Sequence, residues 1–203
     1  MRPNFMIIDD FLSNPHDVRR QALSLNYDPS LKSGNYPGVL SATALDVSAA
    51  EQSVSRLLGT PLTATPGTSH GHCRVTLSGD SGKSGVHIDP CFYSGILYLS
   101  LPEHCRGGTD FFRHKRTGLE SVPLTEMDLV KAGYSDPNAV VEDVVNKDTL
   151  RTSQWERTMR APMRFNRLIL FSPWMFHNSA PGFGKTLDTG RLVCLLFFSP
   201  KTA

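Results

Sequence analysis

The segment at residues 86–90, Val-His-Ile-Asp-Pro, combines two residue types that bind metal ions. Side chains alternate between the two faces of a β-strand, so an extended backbone would point His87 and Asp89 to the same side. One imidazole and one carboxylate would then face a single point. A histidine from another strand would complete a set of two histidines and one carboxylate, and His177 is our candidate. Three protein ligands on one face of an ion leave the opposite face open, an arrangement that suits Fe(II).

An arginine completes an ordered set of polar residues. Arg191 lies fourteen residues after His177 and begins an apolar run that ends at Phe198. This order of His-x-Asp, a distant His and then Arg resembles the 2-oxoglutarate- and Fe(II)-dependent dioxygenase superfamily. There, an arginine or lysine on the last barrel strand binds the distal carboxylate of 2-oxoglutarate, and the resemblance assigns this role to Arg191. Arginine suits the role because its planar guanidinium matches a carboxylate bidentately and stays charged when buried.

Further motifs relate the chain to subgroups of this superfamily. Residues 107–112, Gly-Gly-Thr-Asp-Phe-Phe, resemble a strand start in prolyl-hydroxylase-like and phytanoyl-CoA-dioxygenase-like members, and residues 7–12 resemble uncharacterised bacterial members. In the superfamily a tyrosine on the strand after His-x-Asp often binds 2-oxoglutarate. The resemblance therefore makes Tyr98 a cosubstrate ligand, and a core tyrosine with a satisfied hydroxyl is the alternative. The implied cofactors are Fe(II), 2-oxoglutarate as cosubstrate, and O2.

Four other residues are candidate substrate contacts. Residues 70–77 alternate in polarity, which places His72 and Arg74 on one face of a predicted strand. That face would line the pocket if it points into a barrel, and would meet solvent if the strand lies at an edge. Asn178 and Trp174 are candidates because they lie close in the chain to the third predicted ligand.

Short strand-like runs separated by glycine and proline predict a mainly β fold with flanking helices. This pattern fits a double-stranded β-helix, the jelly-roll barrel of cupin-like proteins. The length of 203 residues fits one domain. Within 1–203 we expect an N-terminal helical buttress at 1–68 and barrel strands at 69–114 and 161–203. A helical insertion at 115–160 would separate the two groups of strands.

Capping residues and apolar spacing predict the helices. Asn14 followed by a proline predicts a helix to about Leu25, and Asp46 or Ser48 begins a second that ends at Gly59. Between these helices, an irregular segment at 27–38 is of a kind that often contributes to a pocket rim.

The helical insertion is predicted from similar signals. Thr125 is expected to cap its first helix, and valines at 140–145 form a stripe that Trp155 and Met159 extend. The insertion is either a substrate lid or a helix that packs outside the sheet. His114, among charged neighbours, is expected to be exposed.

Composition and charge argue against several classes of protein. Apolar residues make up 39% of the chain, and 21 basic and 19 acidic residues leave a net charge of +2. A nucleic-acid-binding domain usually carries a concentrated basic excess, so none is expected. No membrane span or signal peptide is expected, because Asp9 and Asp10 precede any long apolar run. The four cysteines form no C-x-x-C pattern, which fits a cytoplasmic protein with reduced thiols; they are Cys73, Cys91, Cys105 and Cys194.

The resemblance implies oxidative decarboxylation of 2-oxoglutarate to succinate and CO2, coupled to hydroxylation of an unactivated C–H bond. We expect a small-molecule substrate, such as an amino acid or a biosynthetic natural-product intermediate. A peptide or protein side chain is the enzymatic alternative, and a cupin-like metal-binding protein without 2-oxoglutarate turnover is the alternative from another class. A homodimer stays open.

Overall fold

The computed structural model describes residues 3–28, 30 and 34–201. The chain is mainly antiparallel β-sheet with a few helices. No helix within these ranges is long and apolar enough to cross a membrane. The strands are β1 (Phe5–Ile8), β2 (Val39–Ala44), β3 (Leu62–Ala64), β4 (His72–Thr76), β5 (Tyr93–Tyr98), β6 (Gly108–His114), β7 (Trp155–Pro162), β8 (Leu168–Phe171), β9 (His177–Ser179) and β10 (Arg191–Pro200). The helices are α1 (Pro15–Ser24), α2 (Ser48–Leu58), α3 (Glu126–Ala132) and α4 (Pro137–Val140).

The strands form two antiparallel sheets. The larger has the order β1-β8-β5-β10-β4-β2, with β3 also paired to β10, and the smaller has the order β7-β6-β9. β10 can pair with three strands because it is ten residues long: β5 lies along one edge, while β4 and β3 share the other. The predicted mainly β class with flanking helices is confirmed.

The two faces of β10 show how the larger sheet separates a core from a site. Leu192, Cys194, Leu196 and Phe198 alternate onto one face and pack in an apolar cluster that includes Ala22 of α1 and Val54 of α2. The helices therefore cover this face of the sheet, as their apolar spacing predicts. The other face of β10 carries Arg191, Val193, Leu195 and Phe197, which line a cavity.

Two boundaries predicted from the sequence are wrong. Residues 1–68 contain β1, β2 and β3 in addition to helices, so this part belongs to the sheet that it was expected only to support. The helical insertion ends before Trp155, because 155–162 form β7 and pair with β6 across a bulge between Phe111 and Phe112. Trp155 and Met159 are four residues apart, a spacing that fits one face of a helix and also one face of a regular strand. In β7 the bulge puts them on opposite faces, where they belong to different apolar clusters.

The helical region packs closely against the smaller sheet. Thr125 caps α3 by accepting a hydrogen bond from Asp128, as predicted, and α4 continues as a π-helical segment at Val141–Asn146. Val140, Val144 and Val145 share an apolar cluster with Trp155, Phe176 and Val86. The insertion is thereby packed beside the residue that precedes His87.

His114 is a correction to the sequence analysis, because its side chain is fully buried and not exposed. Its Nε2 lies 3.0 Å from Asp148 Oδ2, and its Nδ1 lies 3.0 Å from Thr117 Oγ1. Trp155 Nε1 donates to the backbone oxygen of Asp148 at 2.8 Å. The charged residues next to His114 in the sequence indicated an exposed side chain. Its partner Asp148 follows 34 residues later, so the local sequence could not indicate this buried pair.

Candidate metal centre

Backbone pairing brings the two predicted histidine ligands side by side. His87 lies outside the named strands and forms an isolated antiparallel bridge with His177 at the start of β9. Each backbone N–H donates to the other residue's carbonyl at 3.0 Å, and Asp89 N donates to Pro173 O at 3.0 Å. This extended backbone puts Asp89 on the same side as His87, as the alternation rule predicts.

The three predicted ligands converge on one point. Asp89 Oδ2 lies 3.3 Å from His177 Nε2, and Asp89 Oδ1 lies 3.8 Å from His87 Nε2. One ligand atom from each side chain lies within 4.8 Å of the others. Two imidazole nitrogens and one carboxylate on one face match the geometry of a facial triad.

Hydrogen bonds behind the three side chains fix their orientation. His87 Nδ1 donates to Gly85 O and His177 Nδ1 donates to Met175 O, both at 2.8 Å. A carbonyl can only accept, so each Nδ1 carries a proton, and in the neutral imidazole Nε2 keeps the lone pair that a metal ion needs. Ser94 Oγ donates to Asp89 Oδ2 at 2.5 Å. Such partners orient metal ligands and tune their basicity.

The electrostatics keep His87 and Asp89 in the forms that bind a metal ion. Burial, helped by the adjacent His177, lowers the pKa of His87 to about 4, so its imidazole is neutral near pH 7. For Asp89, burial opposes ionisation, but the neighbouring His177 and the Ser94 hydroxyl outweigh it and lower the pKa to about 2. A neutral imidazole and an ionised carboxylate coordinate without first losing a proton.

Glycines allow two close backbone approaches around the site. At Gly85, whose carbonyl holds His87, an added Cβ would lie 2.0 Å from Thr149 O. At Gly38 the φ angle is +89°, and a Cβ would lie 2.2 Å from Val75 O of β4. The approach at Gly38 brings Tyr36 onto the site, where its ring centroid lies 4.9 Å from that of His87. Tyr36 and Pro37 are therefore part of the pocket wall.

The triad and Arg191 line the same cavity, which has a volume of about 120 Å³. Only 3% of the Arg191 surface is exposed. Its Nη2 donates one long hydrogen bond, 3.3 Å, to Gly108 O, and its Nε has no partner among the described residues. Burial lowers the pKa of Arg191. A buried guanidinium with this few acceptors is costly, and a bound anion would supply the missing ones.

Tyr98 lies one layer behind the cavity surface. Its side chain has no exposed area, and its hydroxyl lies 2.8 Å from Thr109 Oγ1. Thr109 lines the cavity, whereas Tyr98 does not. A cosubstrate would therefore meet the Thr109 hydroxyl, with Tyr98 holding that hydroxyl in place.

The four candidate substrate contacts divide into two pairs. Arg74 and Asn178 line the cavity. His72, by contrast, donates from Nδ1 to Ser41 O at 2.8 Å, and Trp174 packs against the helical region. Neither belongs to the cavity wall.

Sequence reasoning missed Tyr36, Ser94 and Thr109. A proline and a glycine after Tyr36 indicated a turn but not its location. The two hydroxyl residues gave no signal in the sequence beyond strand alternation.

Comparison with known proteins shows the family of this chain and its fold. The sequence model of a family of unknown function (DUF6445) matches residues 2–198. The chain belongs to this family. No curated protein matches the chain.

Solved structures with low sequence identity are similar to this chain, and the first of them shares its fold. A prolyl hydroxylase from Trichoplax adhaerens, in complex with a peptide fragment of the hypoxia inducible factor oxygen degradation domain, aligns with a TM-score of 0.50 at 15% identity. The alignment covers 96% of this chain and 83% of that one. HygX from Streptomyces hygroscopicus, with nickel and 2-oxoglutarate bound, aligns with a TM-score of 0.46 at 13% identity over 98% and 83% of the chains. IDO from Bacillus thuringiensis has a TM-score of 0.47 at 12% identity over 98% and 94%.

Proposed function

We propose that this protein is an Fe(II)- and 2-oxoglutarate-dependent oxygenase that hydroxylates an unactivated C–H bond of a small molecule. One observation carries the proposal: a buried cavity contains the set of His87, Asp89 and His177 together with the unsatisfied guanidinium of Arg191. A metal site alone would not explain a buried cation on the same wall. The two sheets, whose fold is shared with a prolyl hydroxylase, would form the double-stranded β-helix around this cavity.

Each residue has a definite task in this proposal. His87, Asp89 and His177 would hold the metal ion through the two Nε2 atoms and the carboxylate. Arg191 would bind the distal carboxylate of the 2-oxo acid, beside the Thr109 hydroxyl that Tyr98 holds. When bound, the metal ion would let O2 act as the oxidant, with one oxygen atom entering the substrate C–H bond as a hydroxyl group and the other entering 2-oxoglutarate, which leaves as succinate and CO2. The apolar side chains Val193 and Leu195 would keep water from the reacting centre.

The donor set and the cavity fit these cofactors. Two imidazoles and one carboxylate favour a non-haem Fe(II) over a closed structural zinc site, since three ligands on one face leave positions free. The guanidinium requires an anion of carboxylate or phosphate type. The cavity, of about 120 Å³, and a second one of about 300 Å³ that shares Pro37 and Asn178 with it together leave room for the cosubstrate and a small molecule.

An anaerobic titration tests the proposal. Fe(II) and then 2-oxoglutarate are added to metal-free protein while the visible spectrum is recorded, and we expect the weak charge-transfer band of a 2-oxo acid chelated to iron. Asp89→Ala and His177→Ala should lack the band. His72→Ala is the matched control, because this histidine lies outside the cavity wall, and it should keep the band.

Two results would contradict the proposal in different ways. Iron binding without the band would indicate a metalloenzyme that does not use 2-oxoglutarate. Failure to bind iron would indicate that this protein is not an iron enzyme and that its β fold serves to bind another molecule. If the band appears as expected, succinate release that depends on an added compound would identify the substrate.

A further inference from the structure

A second arginine on the cavity wall has no task in the chemistry described so far. Arg74 lies on β4, where its backbone pairs with Val193, and its side chain points into the cavity. Its guanidinium carbon lies 5.4 Å from the centroid of the Tyr36 ring, which in turn packs on His87. Within the described ranges of the chain, no carboxylate pairs with Arg74. Burial and the nearby charge of Arg191 lower the pKa of Arg74.

The charges that line the cavity indicate that an anion besides 2-oxoglutarate is missing from it. Asp89 is the one carboxylate that lines the cavity in the described structure, against the two arginines. The charge of Asp110 acts on Arg191, but the carboxylate of Asp110 is already held by both Arg160 Nε and Nη2. A divalent ion adds two positive charges and a dianionic 2-oxo acid removes two. One positive charge, that of Arg74, would remain uncompensated in a partly buried site, which is unfavourable.

A second cavity adjoins the first and indicates which chemical groups the rest of the substrate can carry. Its volume is about 300 Å³, and Pro37 and Asn178 belong to the walls of both. Its wall combines apolar side chains, such as Leu150 and Trp155, with the hydroxyl groups of Thr149 and Ser84. None of the described residues that line it is charged. A substrate portion placed there would have to be uncharged.

We propose that the substrate is a small monocarboxylate, whose carboxylate pairs with Arg74 and whose uncharged body extends past Asn178 into the adjoining cavity. This inference rests on the proposed function, since it assigns Arg191 to 2-oxoglutarate. Arg74 would position the substrate beside the metal site through a bidentate contact, which restricts the rotation of the bound carboxylate.

Calorimetric titration with simple acids tests this inference without requiring turnover. Protein loaded with Ni(II) and saturated with 2-oxoglutarate is titrated with straight-chain monocarboxylates from acetate to hexanoate, and with the matching primary amides. We expect the acids to bind and the amides to bind about 10- to 100-fold more weakly, because each amide loses a charge-assisted pair of hydrogen bonds. Affinity should rise about fourfold for each methylene that enters the adjoining cavity.

Substitutions test whether Arg74 is the residue that makes acids bind more tightly than amides. Arg74→Gln should lose the same factor for the acids and leave the amides unaffected. The exposed Arg56 lies outside the site and donates to Ser53, so Arg56→Gln is the matched control and should bind like the wild type. Thermal unfolding of both variants checks that they fold.

Three results would overturn the inference. They are the absence of acid binding to the loaded protein, equal binding of acids and amides, and an unchanged affinity in Arg74→Gln. An increase in the 2-oxoglutarate concentration needed by Arg74→Gln would instead assign Arg74 to the cosubstrate. Failure of the proposed function is distinguishable, since wild-type protein would then not bind 2-oxoglutarate. The acid series can in that case be titrated into protein with Ni(II) alone.

Discussion

Ser94 offers a test of how much the hydrogen bonds behind the metal ligands contribute. Its hydroxyl donates to Asp89 Oδ2 at 2.5 Å. Loss of such a partner typically costs about 10- to 100-fold in metal affinity. We therefore expect Ser94→Ala to weaken Fe(II) or Ni(II) binding by this factor in a metal titration. Ser100→Ala is the control, since Ser100 is also buried but bonds Gly190 O, and an equal loss there would refute the assignment.

Arg191 should lower the stability of the ligand-free protein and strengthen the binding of 2-oxoglutarate. Arg191→Leu removes a buried cation that lacks acceptors, so we expect the free energy of unfolding without ligands to rise by about 1 to 4 kcal/mol. The Tm would increase by roughly 2 to 4 °C per kcal/mol. The same variant should need far more 2-oxoglutarate to produce the charge-transfer band.

A second buried arginine provides the control for this substitution. Arg19 is ion-paired with Asp188 at 2.9 Å. Arg19→Leu should therefore destabilise the fold, because it removes the hydrogen bonds that Arg19 Nη2 donates to Asp188 O and Oδ1. An equal loss of stability in Arg191→Leu would indicate that Arg191 has only a structural role.

At the residue scale, local spacing made part of the site predictable. His87 and Asp89 are two residues apart, and any extended backbone puts them on one side. Ser94 and Tyr36 could not be found in this way. Tyr36 reaches the site only because the turn at Gly38 packs on β4, and this close approach has no counterpart in the local sequence.

One buried pair contributes to the attachment of the helical region. His114 of β6 and Asp148 hold the helical region to the smaller sheet through a 3.0 Å contact. Asp148→Ala should lower the free energy of unfolding by about 3 kcal/mol, because it leaves a buried imidazole without its partner. Urea unfolding measures this loss.

A nearby contact of Asp148 provides the control. Arg151 meets Asp148 from the surface at 3.3 Å, so Arg151→Ala should cost less than about 1 kcal/mol. Similar losses in the two variants would mean that the buried contact is no more important than the exposed one.

At the element scale, helix ends were easier to predict than strand partners. Thr125 and Gly59 act locally as caps, and the sequence contains all of that information. β7 was misread because its partner β6 lies far away in the chain, and the Trp155 to Met159 spacing fits either period. That the helical region serves as a lid stays a prediction.

For the whole molecule, ligand binding should be visible as stability. A ligand that binds only the folded state adds about 2.7 kcal/mol at one hundred times its Kd, which corresponds to roughly 5 to 10 °C in Tm for a chain of this length. We expect successive increases on adding Ni(II) and then 2-oxoglutarate, measured by thermal unfolding. Asp89→Ala should show neither increase, and an equal response in that variant would place the metal elsewhere.

The position of β10 has a consequence for how a newly made chain becomes a protein. Strands β1, β8 and β5 on one side, and β4 and β2 on the other, are joined in the larger sheet only through β10. Until residues 191–200 leave the ribosome, β5 and β4 have unpaired, partly apolar edges of the kind that aggregate. Pairings this distant in sequence also form slowly. A nascent chain of this protein is therefore most exposed to misfolding and to chaperone capture just before β10 emerges.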